Sequence, residues 1–450
     1  MSTTRLLIAA VVLAGLSGAI WWSNKQEAAK GTAPDPKAPP KILKYTEEDL
    51  RQIEIQRLGD PPTVISRAEA GKWSIISPQG APQALDVDAQ AVSAISAGAS
   101  NLSSKRVVAD QGYDPTAYGL EPPQVSVKFT MKDGSVKRLR LGEPTPDQDG
   151  AYVALDGDPK LYTIDAFNKQ TFDKRMPELR DKHLLKFLPD DLSRVELSIP
   201  GKPVLEFGGS KNDRWQILKP RPLRADGTEV QALIGTLKDA EMDATAQDAL
   251  GNDKAAAAAF ASGTLLASAK LSAGALVETL EVRQTGMNYY ARSSSVPGTF
   301  KVAESLGKGM VKTLADFQNK KLFDFGFDEP TKVEWKSKES TISFQKTGSD
   351  WLSNGRVMDS VGVQNVIDKL RALSAARVDD VAASAATIDL TVAATATETV
   401  QLAPAGSDYI GRRGQEPTLY RIDGATIATL RQAFVDVQEA PLPDKGKGKQ

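Results

Sequence analysis

The sequence predicts an α+β protein in which an N-terminal single transmembrane helix is followed by a tandem array of about three small mixed sheet-plus-helix domains. Three observations predict it: an uncharged apolar run near the N-terminus, a proline-rich stretch behind it, and a strand, strand, tryptophan, helix pattern that recurs three times in the rest of the chain. Apolar residues make up 41% and charged residues 25% of the 450 positions, the composition of a chain that folds around cores rather than staying disordered or crossing a membrane many times.

Leu6 to Trp22 reads LLIAAVVLAGLSGAIWW, ~26 Å of helix and enough to cross a thin or locally adjusted bilayer. Arg5 precedes the run, and Trp21-Trp22 fall where aromatic rings favour the headgroup interface. The expectation is a transmembrane anchor over residues 1–23, inserted once in the inner (cytoplasmic) membrane, with the C-terminal body in the periplasm or outside the cell. Cleavage near Ser17-Gly18-Ala19 is the competing reading; the length of the run and the tryptophans beyond the cut argue against it, and both readings export everything downstream. Residues 24–41 (NKQEAAKGTAPDPKAPPK) hold four prolines and few apolar residues, giving a semi-rigid linker.

Behind the linker, alternating segments mark half-buried strands. Ile53-Glu54-Ile55, Thr63 to Ser66 and Trp73-Ser74-Ile75 open a first unit over 42–188. Val195-Glu196-Leu197, Val204 to Phe207 and Trp215-Gln216-Ile217 open a second over 189–324, and Val333-Glu334-Trp335, Thr341 to Phe344 and Trp351-Leu352 a third over 325–440. An aspartate then starts a helix in each, at Asp86, Asp226 and Asp359, where its carboxylate accepts from free first-turn amides. Val230, Leu233, Ile234 and Leu237, and Val363, Val366, Ile367 and Leu370, form the apolar stripes of two of these helices. Near the end of the unit, Leu161-Tyr162-Thr163-Ile164-Asp165 is echoed by Leu419-Tyr420-Arg421-Ile422-Asp423, each behind a tyrosine-led strand at Tyr152 or Tyr409. Residues 252–275 are alanine-rich and poor in pattern, and 441–450 (PLPDKGKGKQ) reads as a disordered tail. Recurrence of Trp73, Trp215 and Trp351 at one place in the unit favours a core role over a ligand-stacking platform.

Chemistry is sparsely equipped. Lys plus Arg number 56 against 57 Asp plus Glu, so no global basic field exists to hold nucleic acid. The absence of cysteine removes disulfides, thiolate sites, a cysteine nucleophile and a lipidated cysteine. The single histidine, His183, lies among charged residues that read as an exposed segment between units. Asp86-Val87-Asp88 and Asp147-Gln148-Asp149-Gly150 are only fragments of a calcium loop, and Gly307-Lys308-Gly309 lacks the rest of a phosphate loop. The expectation is therefore no catalytic residue, no metal and no cofactor.

Trp73 with Pro78, Arg106-Val107-Val108, Tyr118-Gly119-Leu120 before Pro122-Pro123, Asp133-Gly134, Leu141-Gly142, Tyr152-Val153 and Leu179-Arg180-Asp181-Lys182 together carry a resemblance. Over roughly residues 50–190 the chain resembles the bacterial family of uncharacterised domains numbered 4340, whose members look like single-pass envelope proteins encoded beside ABC-type exporters, including those linked to gliding motility. The resemblance implies a non-catalytic, membrane-anchored extracytoplasmic accessory subunit whose protein partners are an ABC permease and an auxiliary subunit. It brings no catalytic residue. Interaction residues are expected at Tyr118, Gly119 and Leu120 and at Arg180, Asp181 and Lys182. The alternatives are a module that binds envelope polysaccharide or peptidoglycan and a hydrolase with a carboxylate pair.

Overall fold

The structure, a computed structural model, describes residues 40–69, 71–76, 84–209, 215–243, 250–379 and 384–441. The chain divides into two compact units, residues 1–181 and 182–450. The first holds one antiparallel sheet and the second holds two.

The first sheet contains β1 (Leu50–Arg57), β2 (Thr63–Arg67), β3 (Trp73–Ile75), β4 (Leu85–Asp86), β5 (Arg106–Ala109), β6 (Val125–Met131), β7 (Val136–Pro144), β8 (Gly150–Leu155) and β9 (Leu161–Asp165), in the order β4-β3-β2-β1-β6-β7-β8-β9-β5. Helices α1 (Ala89–Ser100), α2 (Ala166–Phe172) and α3 (Met176–Leu179) accompany it. In the second unit, β10 (Leu192–Ser198), β11 (Leu205–Gly208), β12 (Gln216–Lys219), β13 (Leu223–Arg224), β14 (Thr264–Ala273), β15 (Leu276–Thr285), β16 (Asn288–Ser293) and β17 (Phe300–Val302) form the second sheet, with α4 (Gly227–Lys238), α5 (Lys254–Ser262), α6 (Glu304–Met310) and α7 (Leu314–Phe317). The third sheet contains β18 (Lys332–Ser337), β19 (Thr341–Thr347), β20 (Asp350–Ser353), β21 (Arg356–Met358), β22 (Arg377–Asp379), β23 (Ile388–Ala393), β24 (Thr397–Ala405), β25 (Asp408–Arg413) and β26 (Leu419–Ile422), with α8 (Ser360–Ala372) and α9 (Gly424–Asp436). Its order, β21-β20-β19-β18-β23-β24-β25-β26-β22, repeats that of the first. In the second sheet one bridge, Met242 to Val302, stands in the place of the ninth strand among the described residues.

Two expectations are corrected. The fold is predominantly β: three large sheets, antiparallel throughout, carry the architecture, and the helices are short packing elements rather than equal partners. Helical stripes stand out in a sequence, whereas a long strand whose inward positions are small does not. Thus the alanine-rich stretch folds as α5 and as β14, which buries Ala267, Ala269 and Leu271. The membrane-spanning, single-pass expectation also finds no counterpart among the described residues, where no helix is long and apolar enough to cross a bilayer. The anchor at 1–23 and the linker up to residue 39 lie outside them, as does the tail from 442.

The helix stripes on α4 and α8 are buried as their spacing requires. In the first repeat the cap shifts by two residues: Asp86 pairs with Ser74 inside β4, and Asp88 accepts from the Gln90 and Ala91 amides at 2.8 and 3.0 Å. Every repeat is then laced shut by backbone bonds at two places. Ile42, Leu184 and Leu322 each donate to the residue closing the first long helix, Leu102, Ala240 and Leu373, at 2.9, 2.8 and 2.9 Å. Asp88, Asp226 and Asp359 donate to Leu179, Phe317 and Gln438 at 2.9, 2.7 and 2.8 Å, so the end of each repeat returns to its capping aspartate.

Candidate functional site

The Tyr118-Gly119-Leu120 turn lies on the face of the first sheet away from the helices. Asp114 accepts from the Thr116 amide at 3.0 Å and starts a 3-10 turn over Pro115–Tyr118, which Gly119 ends at φ 66°. The turn sits directly on β7. A Cβ at Gly142 would lie 2.1 Å from the Tyr118 carbonyl oxygen, and one at Gly119 would lie 2.7 Å from the Glu143 side chain. The two glycines of the Tyr-Gly-Leu and Leu-Gly motifs therefore permit one close approach of backbone to backbone. Leu120, Ala154 and Leu161 form a small core beneath it, separate from the main one.

On that base three half-buried tyrosines stack edge to face, Tyr113 on Tyr118 at 6.3 Å and Tyr118 on Tyr152 at 4.7 Å. Tyr113 carries no sequence signal, and Tyr152 stands out there only as a strand opener and as part of the family resemblance, not as an interaction residue. Register explains their absence elsewhere. Tyr152 pairs with Thr163, while Tyr409 pairs with Ile422, one position out of step, so Tyr409 packs toward the helix-side core of the third sheet.

Arg180 and Asp181 sit at the other end of the strand order. Arg180 bridges Val87 and Asp181 donates its amide to Asp86 at 3.0 Å, closing the repeat against β4. Burial holds the Arg180 guanidinium below the usual arginine range, opposed by the charges of Asp181 and Asp86. Lys182 belongs to the next lead-in segment, where its carbonyl accepts from Met242 at 2.9 Å. The tyrosine turn and the Arg180 segment are thus not brought together. His183 bridges Glu241, with its Nε2 3.5 Å from the carboxylate, at the place held by Lys41 and Lys321 in the other repeats. Trp215 and Trp351 are buried and Trp73 packs partly buried against its core.

The lead-in segment is clasped differently in each repeat. Glu278, fully buried, accepts from the Lys186 amide with both oxygens at 2.9 and 3.1 Å, and the Ser293 hydroxyl donates to the Leu184 carbonyl. At the same positions Glu398 accepts from the Asp324 amide at 3.1 and 2.8 Å, and Arg413 donates to the Leu322 carbonyl at 2.7 Å. The first repeat holds Lys137 and Leu155 there.

Around the third clasp grows an extended charged network. Arg413 reaches Glu398 at 2.6 Å and Glu416 at 3.0 Å. Arg224, from β13 of the second sheet, contacts Asp324 at 2.5 Å, Glu416 at 3.4 Å and the buried Tyr420 hydroxyl at 3.3 Å. Burial raises the Tyr420 phenol above its ordinary range despite Arg224. This joins the second and third sheets; sequence reading missed it because its members span almost 200 positions with no shared motif. Among the described residues no group of His, Asp and Glu side chains is arranged to hold a metal ion.

These features define a tandem antiparallel-sheet repeat protein. The family described as Domain of unknown function (DUF4340) matches residues 73–263 and, overlapping, 215–397, and the chain belongs to it. Both matches begin on the tryptophan at the same place in successive repeats, Trp73 and Trp215, so the likeness seen over the first repeat continues into repeats that lack Tyr-Gly-Leu. No curated protein and no solved structure matches the chain.

Proposed function

We propose that the chain is a non-catalytic extracytoplasmic accessory subunit of an ABC-type export or gliding-related envelope complex, and that it works by holding protein partners. One observation carries the reading: the Tyr113, Tyr118 and Tyr152 stack, rigidly seated on the outer face of the first sheet. Tyrosines that are half-buried lose little entropy on binding and offer both an apolar ring and a hydroxyl, which is why they anchor protein interfaces. The turn beneath them is fixed by two glycines, both permitting close packing and Gly119 also supplying the left-handed backbone, so the platform is formed before a partner arrives. Export follows from the apolar run at Leu6 to Trp22, and the transporter context from what the family resemblance implies.

The test is a mild cross-link in intact cells followed by affinity purification through a C-terminal tag. A permease and its ATPase are expected in stoichiometric amounts with the wild type and at strongly reduced amounts with Tyr118→Asp. Recovery of the protein alone, or recovery unaffected by Tyr118→Asp, contradicts the reading.

A further inference from the structure

We infer that the third repeat carries a binding cleft for an acidic peptide segment, at a place that the first repeat fills with an ion pair of its own. The inference rests on the protein-holding role above and names the chemistry of one ligand.

Consider the end of the central strand where it meets the helix packed across the sheet. In the first repeat Arg57, the last residue of β1, lies opposite Val125 and donates to both the carboxylate and the carbonyl oxygen of Asp173, the residue that ends α2. An ion pair plugs the gap. In the second repeat the corresponding positions are Ile199, packed partly buried against the core, and Val311, which ends α6. Val311 is exposed, and neither position carries a charge.

In the third repeat Ser337 stands at the strand position, opposite Ile388, and Arg431 of α9 stands at the helix position. The helix side has exchanged a carboxylate for a guanidinium, and the strand side has lost its long side chain. What remains is an open cleft of about 740 Å³ between α9 and the ends of β18, β23 and β25. Lys338 and Arg431 bring two positive charges to it, and Glu339, which pairs loosely with Arg431 at 3.4 Å, brings one negative charge.

Trp335 lines the same cleft. It replaces the Ile55 and Leu197 of the other repeats, is 1% exposed, and its indole N–H has no hydrogen-bond partner. A peptide acidic residue offers Arg431 a carboxylate in place of its loose contact with Glu339, as Asp173 does for Arg57. The first repeat shows that this end of the frame accommodates such a pair, because Asp173 offers Arg57 a carboxylate and a carbonyl together.

The experiment uses the full chain labelled with 5-fluorotryptophan, with the Trp335 resonance assigned by its loss in Trp335→Phe. The probes are a capped hexaglutamate peptide, a capped hexaglutamine peptide and tri-galacturonate. Hexaglutamate is expected to shift the Trp335 resonance saturably, hexaglutamine to bind at least about tenfold more weakly, and Arg431→Asp, a change at an exposed position, to weaken hexaglutamate by a similar factor. Ser337→Arg is expected to abolish the shift by filling the cleft as Arg57 does. No movement of the Trp335 resonance with hexaglutamate, equal binding of hexaglutamine, or a response to tri-galacturonate alone overturns the inference, the last by assigning the cleft to an acidic sugar. Partner recovery in the cell is measured separately, so failure here leaves the tyrosine platform standing, and the reverse also holds.

Discussion

In the first repeat Tyr152 faces away from the helices and stacks on Tyr118; in the third, Tyr409 opens the equivalent strand one residue out of step and faces the core. The two repeats have the same strand order, the same aspartate-capped helix and the same backbone lacing. They differ in where polar and aromatic side chains are spent. The first covers its outer face with a glycine-seated turn and plugs its helix end with Arg57 and Asp173. The third clasps its lead-in segment with Glu398 and Arg413 and leaves the helix end open. A shared apolar frame thus leaves each copy free to present a different surface, since a one-residue shift along a strand exchanges its two faces.

The largest way to break this comparison is Gly142→Ala. A Cβ 2.1 Å from the Tyr118 carbonyl forces the turn off β7, and a loss of about 3 kcal/mol is expected in urea unfolding, with hydrogen exchange rising in the turn. The matching residue in the third repeat is already Ala403, and Ala403→Gly should cost about 1 kcal/mol or less. Equal costs would mean that the turn is not what glycine serves.

Next comes the clasp. Arg413 and Glu398 are 11% and 18% exposed, and removing either leaves the other without its closest partner. Arg413→Ala should destabilise the second unit by about 2–3 kcal/mol, and a double-mutant cycle with Glu398→Gln should show strong coupling. The corresponding Leu155→Ala in the first repeat acts by cavity formation alone and should show no coupling to Lys137→Ala.

Arg57→Ala should cost about 1–2 kcal/mol, because the pair with Asp173 is roughly a quarter exposed on each side. The double change Ser337→Arg with Arg431→Asp transplants that pair and should raise the unfolding midpoint of the third repeat, whereas either change alone should not.

A fourth effect depends on pH. Glu206, buried between Arg194 at 2.7 Å and Lys219 at 2.6 Å, is held below the usual glutamate range, first by the hydrogen bond from Lys219 and then by the neighbouring positive charges against the cost of burial. A depressed folded value means that the carboxylate stabilises fully above its ordinary value of about 4.3 and that this contribution fades as pH falls through the depressed one. Glu206→Gln should therefore lower stability at neutral pH and flatten its fall below about pH 4.3, as followed by thermal unfolding across pH. The smallest effect belongs to the rim: Glu339→Gln, at a pair more than half exposed on both sides, should change stability by less than about 0.5 kcal/mol.

Much of the frame was legible in the sequence because it is written in local patterns. Alternation marked β1, β10 and β18, the 3.6-residue stripes marked α4 and α8, and the Leu-Tyr echo marked β9 and β26. The balance of the fold was misread because β14 hides its inward face behind alanines and because strands such as β4, β13 and β21 are only two or three residues long. Of the interaction residues, Tyr118 and Gly119 stood out through a compact motif, but their partners Tyr113, Tyr152 and Gly142 are set by a turn folding back on a sheet. The Ser337 and Arg431 exchange was invisible for a similar reason: it is defined only by pairing register, which aligns residues that sequence similarity does not.

The most direct test of the central claim is photo-cross-linking in intact cells from p-benzoylphenylalanine placed at Tyr118 or at Gln401, which lies on the outer face of the third sheet where that repeat has no tyrosine platform. A discrete protein adduct from position 118 and none from position 401 is the expected result. No adduct from 118, or the same adducts from both positions, would contradict a docking role for the first repeat's tyrosines.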